Sequence, residues 1–328
     1  MKEYVIEEAN EGLRLDKQLF KILNNAGTGF VYKMLRKKNI TLNGRKASGS
    51  EHLKTGDVIR IYLSDDTFAL MSIDKTENIG KVSSCYDLKK MIIYEDRDII
   101  ILNKPSGMLS QKASPDDVSI NELCLKYLMD KGETDNSSLK VFKPSICNRL
   151  DRNTSGIVIF AKTYSCASTV SKLLKEHMLG KYYKCMVAGK VIDGMTLDGF
   201  LIKAEHTNKV TVSDSYVNGA SRILTSYRPL ESYDDRTLLE VKLLTGRSHQ
   251  IRAHLASISH PVLGDHKYGD KKLNRLLRDK YGISSQMLHA YKLEFPEDMP
   301  GVLSYLGSRF FIAPVPEEFA FLNSGAIQ

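Results

Sequence analysis

The segment 149–156 places a single carboxylate between two guanidinium groups. Asp151 is flanked closely by Arg149 and Arg152, and the apolar run 157–161 that follows is typical of a buried strand. Nearby cations favour the charged form of a carboxylate, so Asp151 is suited to nucleophilic attack or to stabilising a cation. An Asp that caps a surface turn and pairs with Arg has the same local pattern, and this segment alone leaves both interpretations open.

The segment 245–254 concentrates polar side chains at the start of a predicted helix. A strand is predicted to end at Leu244, and Gly246 predicts the turn that follows it. The polar residues that this helix would carry are Arg247, His249, Gln250, Arg252 and His254. Helix N-termini attract anions, and guanidinium groups bind phosphate and carboxylate strongly. The segment therefore predicts an anion clamp, with a solvated helix face as the alternative.

Three shorter motifs add candidate residues. In Lys181-Tyr182-Tyr183-Lys184, at the head of a predicted strand, Tyr183 could stack on a base and help to move a proton. In the turn 103–107, Lys104 could touch phosphate, and His289 lies on another apolar segment. The alternatives are half-buried strand tyrosines, an ordinary strand-ending turn and a core histidine.

The composition predicts a folded protein that carries excess positive charge. The chain has 328 residues with 47 Lys+Arg and 39 Asp+Glu, a formal net charge of +8, and 42% of its residues are hydrophobic. These values suggest about two domains and exclude disordered and collagen-like classes. No apolar run reaches the ~18 residues of a membrane helix, and the first residues are too acidic for a signal peptide. We therefore expect a cytoplasmic protein without membrane contact.

The cysteine and histidine spacings indicate neither a metal site nor a disulfide framework. The five cysteines are scattered without a Cys-x-x-Cys pair, and no two histidines have a spacing that would place them on one helix face. The glycine-rich loops of nucleotide and dinucleotide sites are also missing from the sequence. We expect no metal and no organic cofactor.

Much of the excess positive charge lies in the first part of the chain. Residues 1–64 contain 12 basic and 7 acidic residues, a net charge of +5. One stretch within them has six cations and no acid: Lys33, Arg36, Lys37, Lys38, Arg45 and Lys46. A basic cluster of this kind predicts a surface that faces RNA or phosphate.

The apolar pattern of residues 1–64 predicts a small α/β lobe. Helices are predicted from Leu15 to Leu23 and from Phe30 to Lys38, and strands at 40–42 and 58–62. Asn43-Gly44 predicts a tight hairpin turn. Residues 65–90 are mixed and polar, which favours a linker.

Residues 91–328 are predicted to form a larger domain. Strands are expected in segments that include 99–102, 157–161, 181–191, 210–212, 222–227 and 238–244, with a helix at 164–179. Many strands with few helices between them predict an α+β fold on a mixed, largely antiparallel sheet.

In their order along the chain, these motifs resemble those of the RluA-type pseudouridine synthases, and most closely the RluC-like branch that modifies large-subunit (23S) ribosomal RNA. The matching segments are Asn103 to Gly107, Arg149 to Gly156, Lys181 with Tyr183, Gly246 to His254, His260 to Asp265, and Leu288 to Ala290. Asn148 departs from the pattern, since many members have His there. The N-terminal lobe resembles the small RNA-binding domain named after ribosomal protein S-four.

The resemblance implies that specific uridines in RNA are isomerised to pseudouridine without a cofactor. It assigns the nucleophile to Asp151, a pairing guanidinium to Arg247, and stacking with proton transfer to Tyr183. The residues expected to bind substrate are Arg149, Lys104, His249, Gln250, Arg252 and Lys181. RNA is the expected partner of a monomeric protein.

Two alternatives stay open. The first is a synthase of the same family that acts on tRNA. The second is a non-catalytic RNA-binding or ribosome-assembly protein that kept the fold, although such a protein would have little reason to retain Asp151 together with Arg247 and Tyr183.

Overall fold

The N-terminal lobe is built from short helices packed on a four-stranded sheet. The computed structural model describes residues 1–72, 86–114, 116–203 and 209–319. Within the lobe, the elements are β1 Lys2–Val5, α1 Leu15–Ile22, α2 Thr28–Arg36, β2 Ile40–Leu42, β3 Arg45–Lys46, β4 Val58–Ile61 and α3 Asp65–Met71, with a 3₁₀ turn at Glu8–Asn10. The strand order is β1-β4-β2-β3.

The lobe follows its sequence pattern closely. Helix α1 buries Leu15, Leu19 and Ile22, as the apolar spacing predicts. Asn43 and Gly44 have φ of 51° and 73°, the left-handed conformation that a tight hairpin turn between β2 and β3 requires. Helix α2 begins and ends two residues earlier than predicted.

The boundary of the lobe differs from the prediction. Residues 65–71, expected to belong to a linker, form α3, in which Phe68 and Met71 pack against the lobe core. These two apolar side chains draw the segment onto the lobe, so its polar residues mark a helix surface rather than a linker. Residues 73–85 of the expected linker lie outside the described residues.

The larger domain contains the remaining elements. Its strands are β5 Ile92–Glu95, β6 Ile99–Lys104, β7 Ser145–Ile146, β8 Ser155–Ala161, β9 Gly180–Ala188, β10 Met195–Lys203, β11 Val210–Ser213, β12 Ser221–Ser232, β13 Arg236–Leu243, β14 Leu288–Glu294 and β15 Phe310–Ile312. Its helices are α4 Ile120–Asp130, α5 Asn136–Val141, α6 Tyr164–Lys175, α7 Gln250–Ser257 and α8 Lys271–Tyr281, with 3₁₀ turns at Leu88–Met91 and Gly301–Leu306.

These strands form one mixed, mostly antiparallel sheet, which confirms the predicted α+β class. The order along the sheet is β11-β10-β12-β13-β9-β14-β8-β6-β5, with β15 paired to β14 and β7 to β8. Strands β8 and β14 pair in parallel, while the other paired strands run antiparallel. Strand β14 therefore lies between two groups of strands, with β9 to β13 on one side and β5 to β8 on the other.

Strand β8 is buried on both faces, so its sequence is a continuous apolar run. Val158 and Phe160 belong to the core on one face, whereas Ile157 and Ile159 pack with Val170 of α6 on the other.

Within the described ranges, no helix has the length and apolar character needed to cross a bilayer.

Gly156 allows β8 and β14 to approach each other. Its φ is +113°, and a Cβ at this position would lie 2.3 Å from the carbonyl oxygen of Ala290. Only glycine fits such an approach without displacing backbone. The Thr-Ser-Gly sequence after Asp151 thus anchors the candidate loop to the centre of the sheet.

The lobe contacts the larger domain through helices α1 and α6. The ammonium group of Lys21 lies 5.3 Å from the ring centroid of Phe142 and 5.9 Å from that of Tyr164. Glu8 and Arg97 are 3.6 Å apart at the same junction. Cation–π contacts of this kind each contribute about 0.5–2 kcal/mol.

Candidate active site

A cavity of about 1010 Å³ opens between segments that are distant in the sequence. It is lined by Asp151 from the loop before β8, Tyr183 from β9, and Arg247, His249 and Arg252 from the segment that begins α7. The structure therefore brings the three strongest sequence motifs to one place. Arg149, Lys181 and Gln250 also line it.

Asp151 is held by a guanidinium group that bridges two carboxylates. Nη1 of Arg252 donates to Oδ2 of Asp151 at 2.7 Å. On its other side, Arg252 donates through Nε and Nη2 to Asp265, at 2.6 and 2.9 Å. Bidentate Arg–carboxylate pairs fix direction as well as distance, so Asp265 aims Arg252 at Asp151.

This bridge stays charged although it is buried. Burial would lower the pKa of Arg252, but the hydrogen bonds and negative charges of Asp265 and Asp151 outweigh it and raise that pKa. Burial would raise the pKa of Asp265, yet Arg252 and two backbone N–H groups lower it. The Asp265 side chain is 0% exposed, so the ion pair is desolvated and specific in geometry.

The ion pair expected between Arg247 and Asp151 does not form, although the structure describes both residues; Arg252 pairs with Asp151 instead. Helix α7 begins at Gln250, so Arg247 lies in the turn before it with an exposed side chain. Arg252 is the third residue of the helix, and its side chain is buried. The prediction identified the correct segment but the wrong arginine.

His249 adopts a left-handed backbone conformation at the N-cap of α7, with φ of 57°. Such values are uncommon outside glycine and cluster at functional sites. Nδ1 lies 2.9 Å from the Tyr268 hydroxyl, which accepts a hydrogen bond from Val210 N–H. This arrangement favours the tautomer with its proton on Nε2, which is 3.9 Å from Asp151. Burial lowers the pKa of His249, and the Asp151 charge opposes that shift.

Gln250 organises the turn before α7. Its Oε1 accepts from the Thr245 hydroxyl at 2.9 Å and from Arg247 N–H at 3.1 Å. Its Nε2 donates to Leu224 and Thr225 of β12. The amide is buried and engaged on both sides, so it supports the cavity wall.

Tyr183 is buried next to Asp151, with 8% of its surface exposed. Burial raises its pKa, and the negative charge of Asp151 adds to that effect. The side chain is thus a neutral phenol at physiological pH, with its ring forming part of the cavity wall.

Lys104 does not reach the cavity, contrary to the expectation that it binds substrate. Its side chain is fully buried, and Nζ donates to the carbonyls of Pro105, Met108 and Arg152 at 2.8–3.0 Å. Burial lowers its pKa to about 7, although the Asp151 charge acts in the opposite direction. Its three hydrogen bonds tie the turn after β6 to the loop that carries Asp151.

Two further side chains fix the backbone of that loop. Ser110 donates to the Leu150 carbonyl at 2.8 Å and accepts from its N–H at 3.0 Å. Asn148, the departure from the expected pattern, donates to Ile157 and accepts from Ile159 N–H of β8. Asn148 therefore acts as a strand partner beside the loop that carries Asp151.

The six cations of the basic cluster at 33–46 in the lobe are all exposed. Within the described part of the chain, no carboxylate lies within ion-pair distance of Lys33, Arg36, Lys37, Lys38, Arg45 or Lys46. Hence this cluster is a free positive surface, separate from the cavity.

Sequence reasoning gave no role to Asp265 and did not single out Tyr268 or Ser110. Asp265 follows the apolar residues Val262 and Leu263 and a glycine. An acid directly after such a buried run needs a charged partner, and that signal points towards an ion pair. The sequence has no comparable signal for Ser110, whose partner Leu150 is 40 residues further along the chain.

The buried Arg252–Asp265 pair therefore supports Asp151 at the wall of a cavity that several cations line, and this charge suits an anionic substrate. The family model described as RNA pseudouridylate synthase matches residues 98–257. The chain is 34% identical over 266 residues to the ribosomal large subunit pseudouridine synthase C of Rickettsia felis, covering 79% of this chain and 83% of that protein. The protein of the same name from Vibrio cholerae is 29% identical over 296 residues, covering 88% and 87%.

A solved structure supports the same fold. Human RNA pseudouridylate synthase domain containing 4 superposes with a TM-score of 0.57 at 22% identity, over 71% of this chain and 91% of that chain. The family model and the match to the Rickettsia felis protein show that the chain belongs to the RNA pseudouridylate synthase family.

Proposed function

We propose that this protein isomerises uridine to pseudouridine in large-subunit ribosomal RNA, with Asp151 as the nucleophile. The observation that carries the proposal is the Asp151–Arg252 pair in a cavity that also contains Tyr183.

The charge around the cavity suits a polyanion. Asp151 is the single acid among the described lining residues. The basic residues that line the cavity with it are Lys112, Arg149, Lys175, Lys181, Arg222, Arg247 and Arg252. Such an imbalance attracts RNA and makes binding weaken steeply with salt.

The isomerisation breaks the bond between uracil N1 and the ribose, and forms a bond from uracil C5. The C5 proton is lost and N1 gains one, so no oxidant or reductant is consumed. The uridine must first leave its stack, at about a few kcal/mol. Asp151 then supplies the carboxylate, and Arg252 compensates its charge from the Oδ2 side, which leaves Oδ1 for the reacting nucleotide.

Tyr183 recovers part of the unstacking energy by stacking on the uracil, about 1–3 kcal/mol for a base on an aromatic ring. Because burial and the Asp151 charge raise its pKa, the phenol is not ionised at neutral pH. This favours stacking over removal of the C5 proton as its main contribution.

The choice of ribosomal RNA is supported by the relatives, which are named for pseudouridine synthesis in the large ribosomal subunit. Chemical mapping of pseudouridine in ribosomal and transfer RNA from a deletion strain tests it. We expect at least one site to disappear from large-subunit RNA. Loss confined to tRNA would assign the tRNA alternative.

The catalytic assignment is tested with Asp151→Asn, which keeps the size of the side chain and removes its charge. We expect tritium release from RNA containing 5-tritiated uridine to fall below detection while RNA binding is retained. Lys184→Met is the matched control, since Lys184 stacks on Tyr291 outside the cavity. Release from Asp151→Asn equal to that of an active wild type would exclude Asp151 from the reaction, and no release from either protein would leave only an RNA-binding role.

A further inference from the structure

Lys181 is a partly buried cation in the wall of the catalytic cavity. It is the second residue of β9, and its Nζ lies 3.5 Å from the point that a Cβ on Gly246 would occupy. Burial lowers its pKa. The ammonium group is therefore partly shielded from water at the turn that precedes α7.

Lys181 differs from the other buried lysines, each of which has an evident partner. Lys104 donates to three carbonyls, and Lys162 pairs with Glu95 and Glu133. Among the described residues, by contrast, the side chain of Lys181 has neither a hydrogen bond nor an ion pair. A desolvated ammonium without an anion is unfavourable, and a bound anion would relieve it.

Arg247 is a second cation at the same turn. It follows Gly246 directly, and its backbone N–H is fixed by Gln250. Its guanidinium is exposed at the cavity and pairs with no carboxylate of the described residues. Asp151, the acid of the cavity, is already engaged by Arg252.

We propose that Lys181 and Arg247 form a phosphate subsite that binds a phosphodiester group next to the target uridine. The inference rests on the proposed function, because it takes the anion to be part of the RNA substrate. Lys supplies a point charge and Arg a planar fork, a pair suited to the oxygens of one phosphate. Binding there fixes the flipped nucleotide relative to Asp151 without contact to the base.

The experiment compares Lys181→Met and Arg247→Gln, which remove charge and keep length. The substrate is the RNA fragment identified by the mapping, made with either a natural linkage or one neutral methylphosphonate at each position flanking the uridine. For the natural RNA, we expect each variant to raise KM and the dissociation constant about tenfold, with kcat changed much less. Each should also lower the slope of log affinity against log salt by about 1.

The neutral linkage gives the decisive comparison. One methylphosphonate position should weaken wild-type binding about tenfold or more, and weaken Lys181→Met binding by a clearly smaller factor, because only Arg247 remains to lose its contact. Equal weakening of wild type and Lys181→Met at every position would overturn the subsite. This comparison also uses wild-type protein, so it remains informative if a variant folds poorly.

Two controls complete the test. Lys184→Met removes a lysine from the same strand on the opposite face, and its binding should match wild type. Inorganic phosphate should compete only in the millimolar range if the subsite serves RNA, whereas tight phosphate binding would indicate a free-anion site and overturn the RNA assignment. Binding is measured without turnover, so an inactive wild type would refute the proposed function while the subsite is still judged on affinity.

Discussion

Asp151 depends on a chain of contacts that reaches away from the cavity. Arg252 pairs with it at 2.7 Å, and Asp265 holds Arg252 by two hydrogen bonds from the buried side. The ring centroid of Tyr268 lies 5.3 Å from the same guanidinium group, and the Tyr268 hydroxyl contacts Nδ1 of His249. The Asp151 carboxylate is thus positioned through Arg252 by Asp265 and Tyr268, which do not line the cavity.

Asp265→Asn tests this arrangement. The substitution removes a buried charge from Arg252, and we expect the free energy of unfolding at pH 7 to fall by about 3 kcal/mol, with a loss of kcat. The pKa of Asp265 lies below its ordinary value of 3.8. Its stabilising contribution is therefore complete above pH 3.8 and disappears as pH falls through the lower folded-state pKa. Urea unfolding across pH should show wild type and variant converging in acid.

The control is Asp198→Asn, which also removes an Asp paired to Arg. The Asp198–Arg222 pair is exposed, with side-chain exposures of 49% and 62%. Such pairs contribute about 0–1 kcal/mol. A similar loss of unfolding free energy in both variants would mean that burial does not make the Asp265–Arg252 pair more stabilising than an exposed pair.

At the scale of elements, the site depends on the junction of β8 and β14. These parallel neighbours set the loop that carries Asp151 against the centre of the sheet. Gly156 allows this contact, because any side chain there would meet the backbone of Ala290. His289 of β14 adds a hydrogen bond of 2.8 Å to Ser155.

Gly156→Ala should therefore separate the two strands. We expect a loss of about 3 kcal/mol or more in the free energy of unfolding, together with reduced tritium release. Gly219→Ala is the matched control, since Gly219 has φ of +82° with open space around its Cβ position. It should lose only the left-handed strain, about 1–2 kcal/mol. Equal urea midpoints for Gly156→Ala and Gly219→Ala would contradict the claim that the close approach of β8 and β14 requires glycine at position 156.

Element prediction was reliable where the apolar pattern was strong. The strands at 157–161 and 238–244 and the hairpin at Asn43-Gly44 are confirmed. The helix at the end of the Gly246 turn was predicted to carry Arg247 and His249, but it begins at Gln250. The left-handed residue His249 ends the turn, and periodicity does not report backbone strain at a single position.

At the scale of the whole molecule, the lobe brings six unpaired cations to an enzyme whose cavity is already basic. The lobe also packs on the larger domain through Lys21. Deleting residues 1–64 would remove that packing and cut α3 from its core. Charge removal is therefore the cleaner test of RNA binding by the lobe.

Replacing Lys33, Arg36, Lys37, Lys38, Arg45 and Lys46 by Gln should weaken binding of a long ribosomal RNA fragment and lower its salt dependence. The turnover of a short RNA that fills only the cavity should stay unchanged. Arg60→Gln is the control, because Arg60 is on the same lobe but pairs with Glu3 at 2.8 Å. Unchanged affinity for the long RNA would exclude the lobe as an RNA-binding surface.

The sequence by itself determined the chemical groups, the α+β class and the segments that carry the site. Those properties are local, since motif spacing and apolar periodicity are written into neighbouring residues. Tertiary structure decided that Arg252 rather than Arg247 meets Asp151, and that Lys104 holds a loop rather than substrate. Both outcomes depend on which side chains packing removes from water, and that is set by contacts between segments far apart in the chain.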